Sequence, residues 1–238
     1  MFGLEDKVIL VTGGNRGIGA TCVRLLEGQG AKVAYNYRSK PNEESPSLAI
    51  QADITSLESM EGLAAEVEEK LGPIWGVVAN AGVTNDALFS RMSHEQWLDV
   101  VNTNLNGAFN TIRPIISGMY ERQSGSIVLI SSLVGQQGNI GQANYGATKA
   151  GLIGLAKTLG LEGARYGVRA NALCPGFTET DMLKSIPEEV KQKIYKTIPL
   201  RRFATEEEIA WGVVYLLSPV TGGYITGTTL SINGGRYT

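Results

Sequence analysis

Three residue types near the middle of the chain carry potential chemistry. Tyr145 and Lys149 stand four positions apart in Tyr145-Gly146-Ala147-Thr148-Lys149, inside a stretch with helical periodicity. Positions four apart share one helical face, so a phenol and an ammonium can point into one cleft. Reducing a ketone needs a hydride on carbon and a proton on oxygen. A tyrosine is a weak acid, with an ordinary pKa of about 10, and a neighbouring cation lowers that value toward usefulness. By itself the pair is a weak signal. It gains weight from Ser131-Ser132, which closes an apolar, strand-like run thirteen positions earlier. The carboxyl ends of parallel strands are where open α/β sheets bind ligands, and a serine hydroxyl there can polarise a carbonyl.

A second constellation lies near the start of the chain. The apolar run Val8–Val11 stops at Thr12-Gly13-Gly14-Asn15-Arg16-Gly17-Ile18-Gly19, where a helical pattern opens. Gly13 permits a tight turn. Gly17 and Gly19 permit close approach of backbone to a diphosphate and of helix to strand, and the helix N-terminus offers free amides to the phosphates. About twenty residues on, a site for the unphosphorylated dinucleotide places an acid against the ribose 2′-hydroxyl. Here the second strand ends in Asn36-Tyr37-Arg38-Ser39-Lys40, without an acid. Arg38, with Arg16 in the cradle, suits a 2′-phosphate, so NADPH (or NADP+) is the expected cofactor.

The elements that position these residues are legible as an alternation. Short apolar runs at Val8–Val11, Ala31–Tyr37, Leu48–Ala52, Ile74–Ala79, Ser126–Ser131, Val168–Leu173 and Thr229–Ile232 read as strands buried on both faces. Between them lie periodic stretches at Ile18–Gln29, Leu57–Leu71, His94–Arg122, Ala143–Arg165 and Thr205–Leu217. The expectation is an α/β fold: one Rossmann-type, doubly wound parallel sheet of about seven strands with helices on both faces, forming a single domain over residues 1–238. One crossover is unusual. Only Arg38–Ser47 separates the second and third strands, and Pro41 and Pro46 oppose a helix there, so it should be short and irregular. The stretch from Pro175 to about Leu200 reads as a long loop at a strand end, a common place for a substrate lid. His94 follows Ser93, an expected N-cap, and has no expected catalytic role.

Composition bounds the rest. The chain has 238 residues, 43% hydrophobic and 18% charged, with a formal net charge of −2. No basic stripe favours nucleic acid as a partner. Cys22 and Cys174 lack metal-ligand spacing and read as buried thiols, so no metal is expected. The N-terminus lacks the basic and apolar regions of a signal peptide, and no apolar run is long enough to span a bilayer. A cytoplasmic protein is expected.

Taken in order, the cradle, Val78-Ala79-Asn80-Ala81-Gly82, Asn102-Thr103-Asn104-Leu105, Ser132, Tyr145 and Lys149 resemble the short-chain dehydrogenase/reductase family over essentially the whole chain. The glycine spacing, Gly-x-x-x-Gly-x-Gly, fits that family, while Ala79 stands where many members carry a second Asn. The resemblance implies catalytic roles for Asn104, Ser132, Tyr145 and Lys149, with Ser131 as the fallback for Ser132. Asn104 would connect Lys149 to solvent through a water, and Lys149 would hold the nicotinamide ribose. It implies cofactor contacts from Gly13, Asn15, Arg16, Gly17, Ile18, Gly19, Arg38, Asp53, Ile54, Asn80, Ala81, Gly82, Tyr145 and Lys149. Asp53 would meet the adenine ring, or else cap the helix beginning near Ser56. After the sixth strand, Pro175 and Gly176 would pack beside the nicotinamide and Thr178 would bond its carboxamide.

Within the family, Gly138–Tyr145, the segment 175–182 (Pro-Gly-Phe-Thr-Glu-Thr-Asp-Met) and Ile198–Arg202 are most similar to the 3-oxoacyl-(acyl-carrier-protein) reductases of fatty acid synthesis. That resemblance implies an acyl carrier protein bearing a 3-oxoacyl thioester as the substrate partner, with Arg122, Arg165 and Arg169 as a basic landing surface. The alternative is an acetoacetyl-CoA reductase of polyhydroxyalkanoate synthesis, whose tail resembles Leu230–Gly235. A reductase of another small ketone and a non-catalytic NADP-binding scaffold are the remaining readings. The family also implies a homotetramer, built on Gly222–Thr238 and on the two long helices carrying Asn104 and Tyr145.

Overall fold

A computed structural model describes residues 2–180 and 187–238. Seven strands form one parallel sheet in the order β3-β2-β1-β4-β5-β6-β7. They are β1 Val8–Val11, β2 Lys32–Tyr37, β3 Leu48–Gln51, β4 Ile74–Ala79, β5 Gly125–Ile130, β6 Val168–Pro175 and β7 Thr229–Ile232. The helices are α1 Gly17–Gly28, α2 Leu57–Leu71, α3 His94–Val101, α4 Gly107–Glu121, α5 Leu133–Gln137, α6 Ala143–Ala164, α7 Glu188–Tyr195 and α8 Glu206–Leu217.

Both faces of the sheet are covered, which is why the strands read as unbroken apolar runs rather than alternating ones. Val8 and Leu10 of β1, with Ile127 and Leu129 of β5, meet α2, α4 and α6 through Met60, Leu63, Ile112, Met119 and Leu152. Ile9, Val11, Val128 and Ile130 point the other way, onto Cys22, Val23 and Leu26 of α1 and Ile209, Val213 and Leu217 of α8. Strand order reverses between β1 and β4. At such a switch point the connections leave to opposite sides and open a crevice beyond the carboxyl ends of the strands.

The crossover from β2 to β3 is short and contains no helix, as its prolines imply. It is pinned from beneath: the buried Tyr35 hydroxyl accepts from Asn42 N at 3.0 Å and donates to Asn42 O at 3.1 Å. Elsewhere the structure departs from the sequence reading. The stretch His94–Arg122 is not one helix. A π-helical segment, Asn102–Asn106, separates α3 from α4, with Gly107 N donating to Asn102 O. One inserted residue widens the turn, and such insertions frequently mark functional sites. The stretch after Pro175 is not wholly irregular, since it contains α7. Residues 181–186, which include Asp181 and Met182 of the family-like segment, lie outside the described residues.

Cys22 and Cys174 are buried and unpaired with each other. Among the described residues, no helix is long and apolar enough to cross a membrane.

Candidate active site

The crevice at the switch point is a cleft of about 680 Å³. Its walls include Gly13, Asn15, Arg16, Gly17, Ile18 and Gly19 from the β1–α1 turn, and Arg38, Asp53 and Ile54 from the ends of β2 and β3. Asn80, Ala81 and Gly82 after β4 complete the set that the sequence assigned to this wall.

The turn is shaped by steric exclusion. Gly13 has φ +64°, a conformation that a side chain disfavours. At Gly19 a Cβ would overlap the Gly13 carbonyl oxygen and lie 2.6 Å from Asn80 Nδ2. The Asn80 side chain donates to Thr12 O at 2.9 Å and Gly13 O at 3.3 Å, stitching β4 to the turn. The N-cap of α1, Arg16, makes no side-chain capping bond. Uncapped amides at the positive end of a helix dipole suit a diphosphate. Arg16 and Arg38 are exposed on the cleft wall, and no carboxylate stands at the end of β2. This geometry fits a dinucleotide, and its charge fits a phosphorylated ribose.

Sequence reasoning missed several supports. Asn36 Oδ1 accepts from Gly13 N at 2.8 Å while its Nδ2 donates to Ala52 O at 3.0 Å. Thr12 Oγ1 accepts from Asn80 N and Ala81 N at 3.0 and 3.1 Å. The available signal was a polar residue buried at the carboxyl end of an apolar strand. Tyr37, Ser39, Thr55, Val83, Thr103 and Thr180 also line the cleft. Asp53 does not cap α2, whose N-cap is Ser56. Its carboxylate accepts from Thr55 N and Thr55 Oγ1, which holds its pKa below the ordinary value.

Behind the cleft, the structure brings Ser132, Tyr145, Lys149 and Asn104 together. Ser132 is the N-cap of α5 and accepts from Val134 N at 3.1 Å. Ser131 is turned away: its buried hydroxyl donates to Lys149 O at 2.7 Å. Lys149 Nζ donates to Ile130 O at 2.7 Å and lies 5.5 Å from the centroid of the Tyr145 ring. A Cβ added at Gly82 would lie 3.1 Å from Asn104 Oδ1 and 3.5 Å from Lys149 Nζ, so the cleft and the cluster share a wall. Asn104, buried in the π-helical segment, accepts from Val83 N and donates to Val83 O and Thr148 Oγ1.

Burial dominates the electrostatics. It pushes the Tyr145 hydroxyl above its ordinary pKa, against the lowering influence of the neighbouring Ser132 hydroxyl, with Asp86 and Cys174 adding to the rise. Burial also draws Lys149 down to about 8. The lowering of Tyr145 expected from Lys149 is not found: the shift is upward, because removing both groups from water penalises both charged forms.

Pro175 ends β6, and Gly176 N donates to Ile232 O at 2.8 Å. The Thr178 hydroxyl donates to Gly176 O at 3.2 Å, within its own loop. His94 begins α3 behind the Ser93 N-cap, as expected. One member of the basic landing surface, Arg169, is corrected. Arg169 is spent inside the fold, donating to Leu216 O and Leu217 O at the end of α8. Arg122 and Arg165 follow the C-termini of α4 and α6, beside the amino ends of the strands. At 1.5 Å per helical residue, Arg165 is about 24 Å from Lys149, at the opposite edge of the sheet from the cleft of its own chain.

Comparison with known proteins finds a family model and relatives along nearly the whole chain. The family model described as enoyl-(acyl carrier protein) reductase, of the short-chain type, matches residues 13–237. An acetoacetyl-CoA reductase of Synechocystis sp. is 55% identical over 237 residues, covering 100% of this chain and 99% of that protein. An acetoacetyl-CoA reductase of Rhizobium meliloti is 46% identical, covering 98% and 99%. A 3-oxoacyl-(acyl-carrier-protein) reductase of Staphylococcus epidermidis is 41% identical, also covering 98% and 99%.

Proposed function

Because the chain belongs to the short-chain dehydrogenase/reductase family and is an oxidoreductase, we propose that it reduces acetoacetyl-CoA to 3-hydroxybutyryl-CoA with NADPH. The observation that carries this reading is the 55% identity to an acetoacetyl-CoA reductase along the full chain, against 41% to a carrier-protein reductase. It is preferred to the carrier-protein substrate expected from the sequence, which rests on relatives of lower identity. The 41% relative keeps carrier-bound 3-oxoacyl thioesters as the second reading.

In this proposal the β1–α1 turn holds the diphosphate, and Arg16 and Arg38 hold the 2′-phosphate. Asp53 and Ile54 flank the adenine, and Pro175, Gly176 and Thr178 flank the nicotinamide. The bound cofactor supplies the hydride that adds to the carbonyl carbon. Ser132 has its oxygen engaged by Val134 N, so its own hydrogen is available to the substrate carbonyl oxygen. Tyr145 Oη gives its proton to that oxygen as negative charge develops there. Lys149, charged below about pH 8, stabilises the phenolate left behind and holds the nicotinamide ribose. Asn104 supports reprotonation through a water. A homotetramer of cytoplasmic protein completes the proposal.

The test follows NADPH oxidation with acetoacetyl-CoA and with acetoacetyl-acyl-carrier-protein, NADH being tried in parallel. The proposal expects a higher kcat/KM on the CoA ester and a clear preference for NADPH. Faster turnover on the carrier-bound ester would move the enzyme to the second reading. Tyr145→Phe should reduce turnover by roughly 100- to 10,000-fold. Arg38→Glu should erode the preference for NADPH.

A further inference from the structure

Tyr145 occupies an exposed structural risk: it is the third residue of α6. The N-cap position, Gln142, makes no side-chain cap. First turns of helices fray, and four of their amides lack helical partners. Proton transfer, by contrast, requires its donor held to within about 0.5 Å.

Asn144, beside Tyr145 and fully buried, answers this need with both of its amide hydrogens and its carbonyl oxygen. Its Oδ1 accepts from Tyr145 N at 2.7 Å. Its Nδ2 donates to Asn85 O at 2.9 Å and to Gln96 O at 3.0 Å. One side chain thus ties three segments: the start of α6, the first turn of α3 and the wall that follows β4. That wall is latched again on either side. Asn104 holds Val83, Gln142 Nε2 donates to Asp86 Oδ2 at 2.8 Å, and Ala87 N donates to Gly141 O at 2.9 Å. Gln96 closes the circuit, donating to Asn85 Oδ1 at 3.0 Å while its Oε1 accepts from Ser93 N.

We propose that Asn144 is a positioning residue for the reaction, fixing Tyr145 against the wall after β4 through its two amide hydrogens. It touches neither substrate nor cofactor; it sets where the phenol of Tyr145 stands relative to Ser132. The inference rests on Tyr145 being the proton donor, as proposed above.

The experiment compares wild type, Asn144→Ala and Asn144→Asp by steady-state kinetics with acetoacetyl-CoA, normalised to NADPH-binding sites titrated by fluorescence. Asn144→Asp keeps the acceptor for Tyr145 N and loses both donors. Both variants should lose about 10- to 100-fold in kcat per site, with KM for the thioester and NADPH affinity within about threefold of wild type. A merely structural role would lower the number of binding sites and the melting temperature while leaving kcat per site intact, and that result overturns the proposal. So does a fully active Asn144→Asp, since the donors would then be dispensable. Should Asn144→Ala not accumulate folded, Asn144→Ser is read by the same ratio. A wild type inactive on acetoacetyl-CoA, or a fully active Tyr145→Phe, defeats the functional reading instead; in the first case the variants are compared on whichever ketone the wild type reduces.

Discussion

At the scale of single residues, the site is governed by what burial does to charge. Lys149 is drawn from an ordinary 10.5 to about 8 by removal from water. If its charge stabilises the phenolate of Tyr145, reduction should decline as pH rises through about 8, which a pH–rate profile of kcat/KM will show. Stability should move the other way. Between about 8 and 10.5 the unfolded chain binds more protons at this lysine than the folded chain does, so the lysine's contribution to stability rises with pH across that window. The melting temperature of wild type minus that of Lys149→Met should therefore increase from pH 8 toward pH 10. A flat difference would mean that Lys149 titrates normally in the fold. Gly19 gives the steric counterpart. Gly19→Ala would place a methyl group against the Gly13 carbonyl and Asn80 Nδ2. Overlap of this kind costs on the order of 1–3 kcal/mol or opens the turn, so NADPH affinity should fall sharply in a fluorescence titration.

At the scale of elements, the polar support lies where strands end. The β2–β3 crossover has no helix to order it and depends on Tyr35, whose hydroxyl exchanges two hydrogen bonds with Asn42. Tyr35→Phe should destabilise the protein by about 1 kcal/mol in denaturant unfolding. NADPH affinity should weaken more than NADH affinity, because the crossover follows Arg38, the residue proposed to meet the 2′-phosphate. Equal weakening for both cofactors would detach the crossover from that role. The π-helical segment shows the same economy of means. It interrupts a pattern that reads as one helix and places Asn104 where its amide can grip Val83 and Thr148.

At the scale of the whole molecule, the proposed tetramer must cover apolar side chains that one chain leaves bare. Leu161 of α6 is 82% exposed and Phe109 of α4 is 51% exposed, while Tyr224 stands fully out of the loop before β7. Light scattering after size-exclusion chromatography should return about four times the 25.4 kDa of one chain. The double substitution Leu161→Glu, Tyr224→Lys should lower that mass, and an unchanged monomeric mass for wild type would remove the tetramer. The fold itself was legible in the sequence because burial on both faces writes a parallel sheet as short apolar runs separated by helical periods. The cradle and Ser132, Tyr145 and Lys149 could be named as candidates because their residue types and spacings are local. What the sequence could not display were contacts between residues far apart in the chain. Asn36 beneath the cradle, Asn144 at the root of Tyr145, the inward turn of Ser131 and the consumption of Arg169 by the end of α8 all depend on partners in other elements. Hydrogen bonds form only when those elements pack, and the same packing removes water and so raises the pKa of Tyr145 and lowers that of Lys149. Local pattern determined which residues could do chemistry; tertiary structure decided which were free to do it and how tightly they were held.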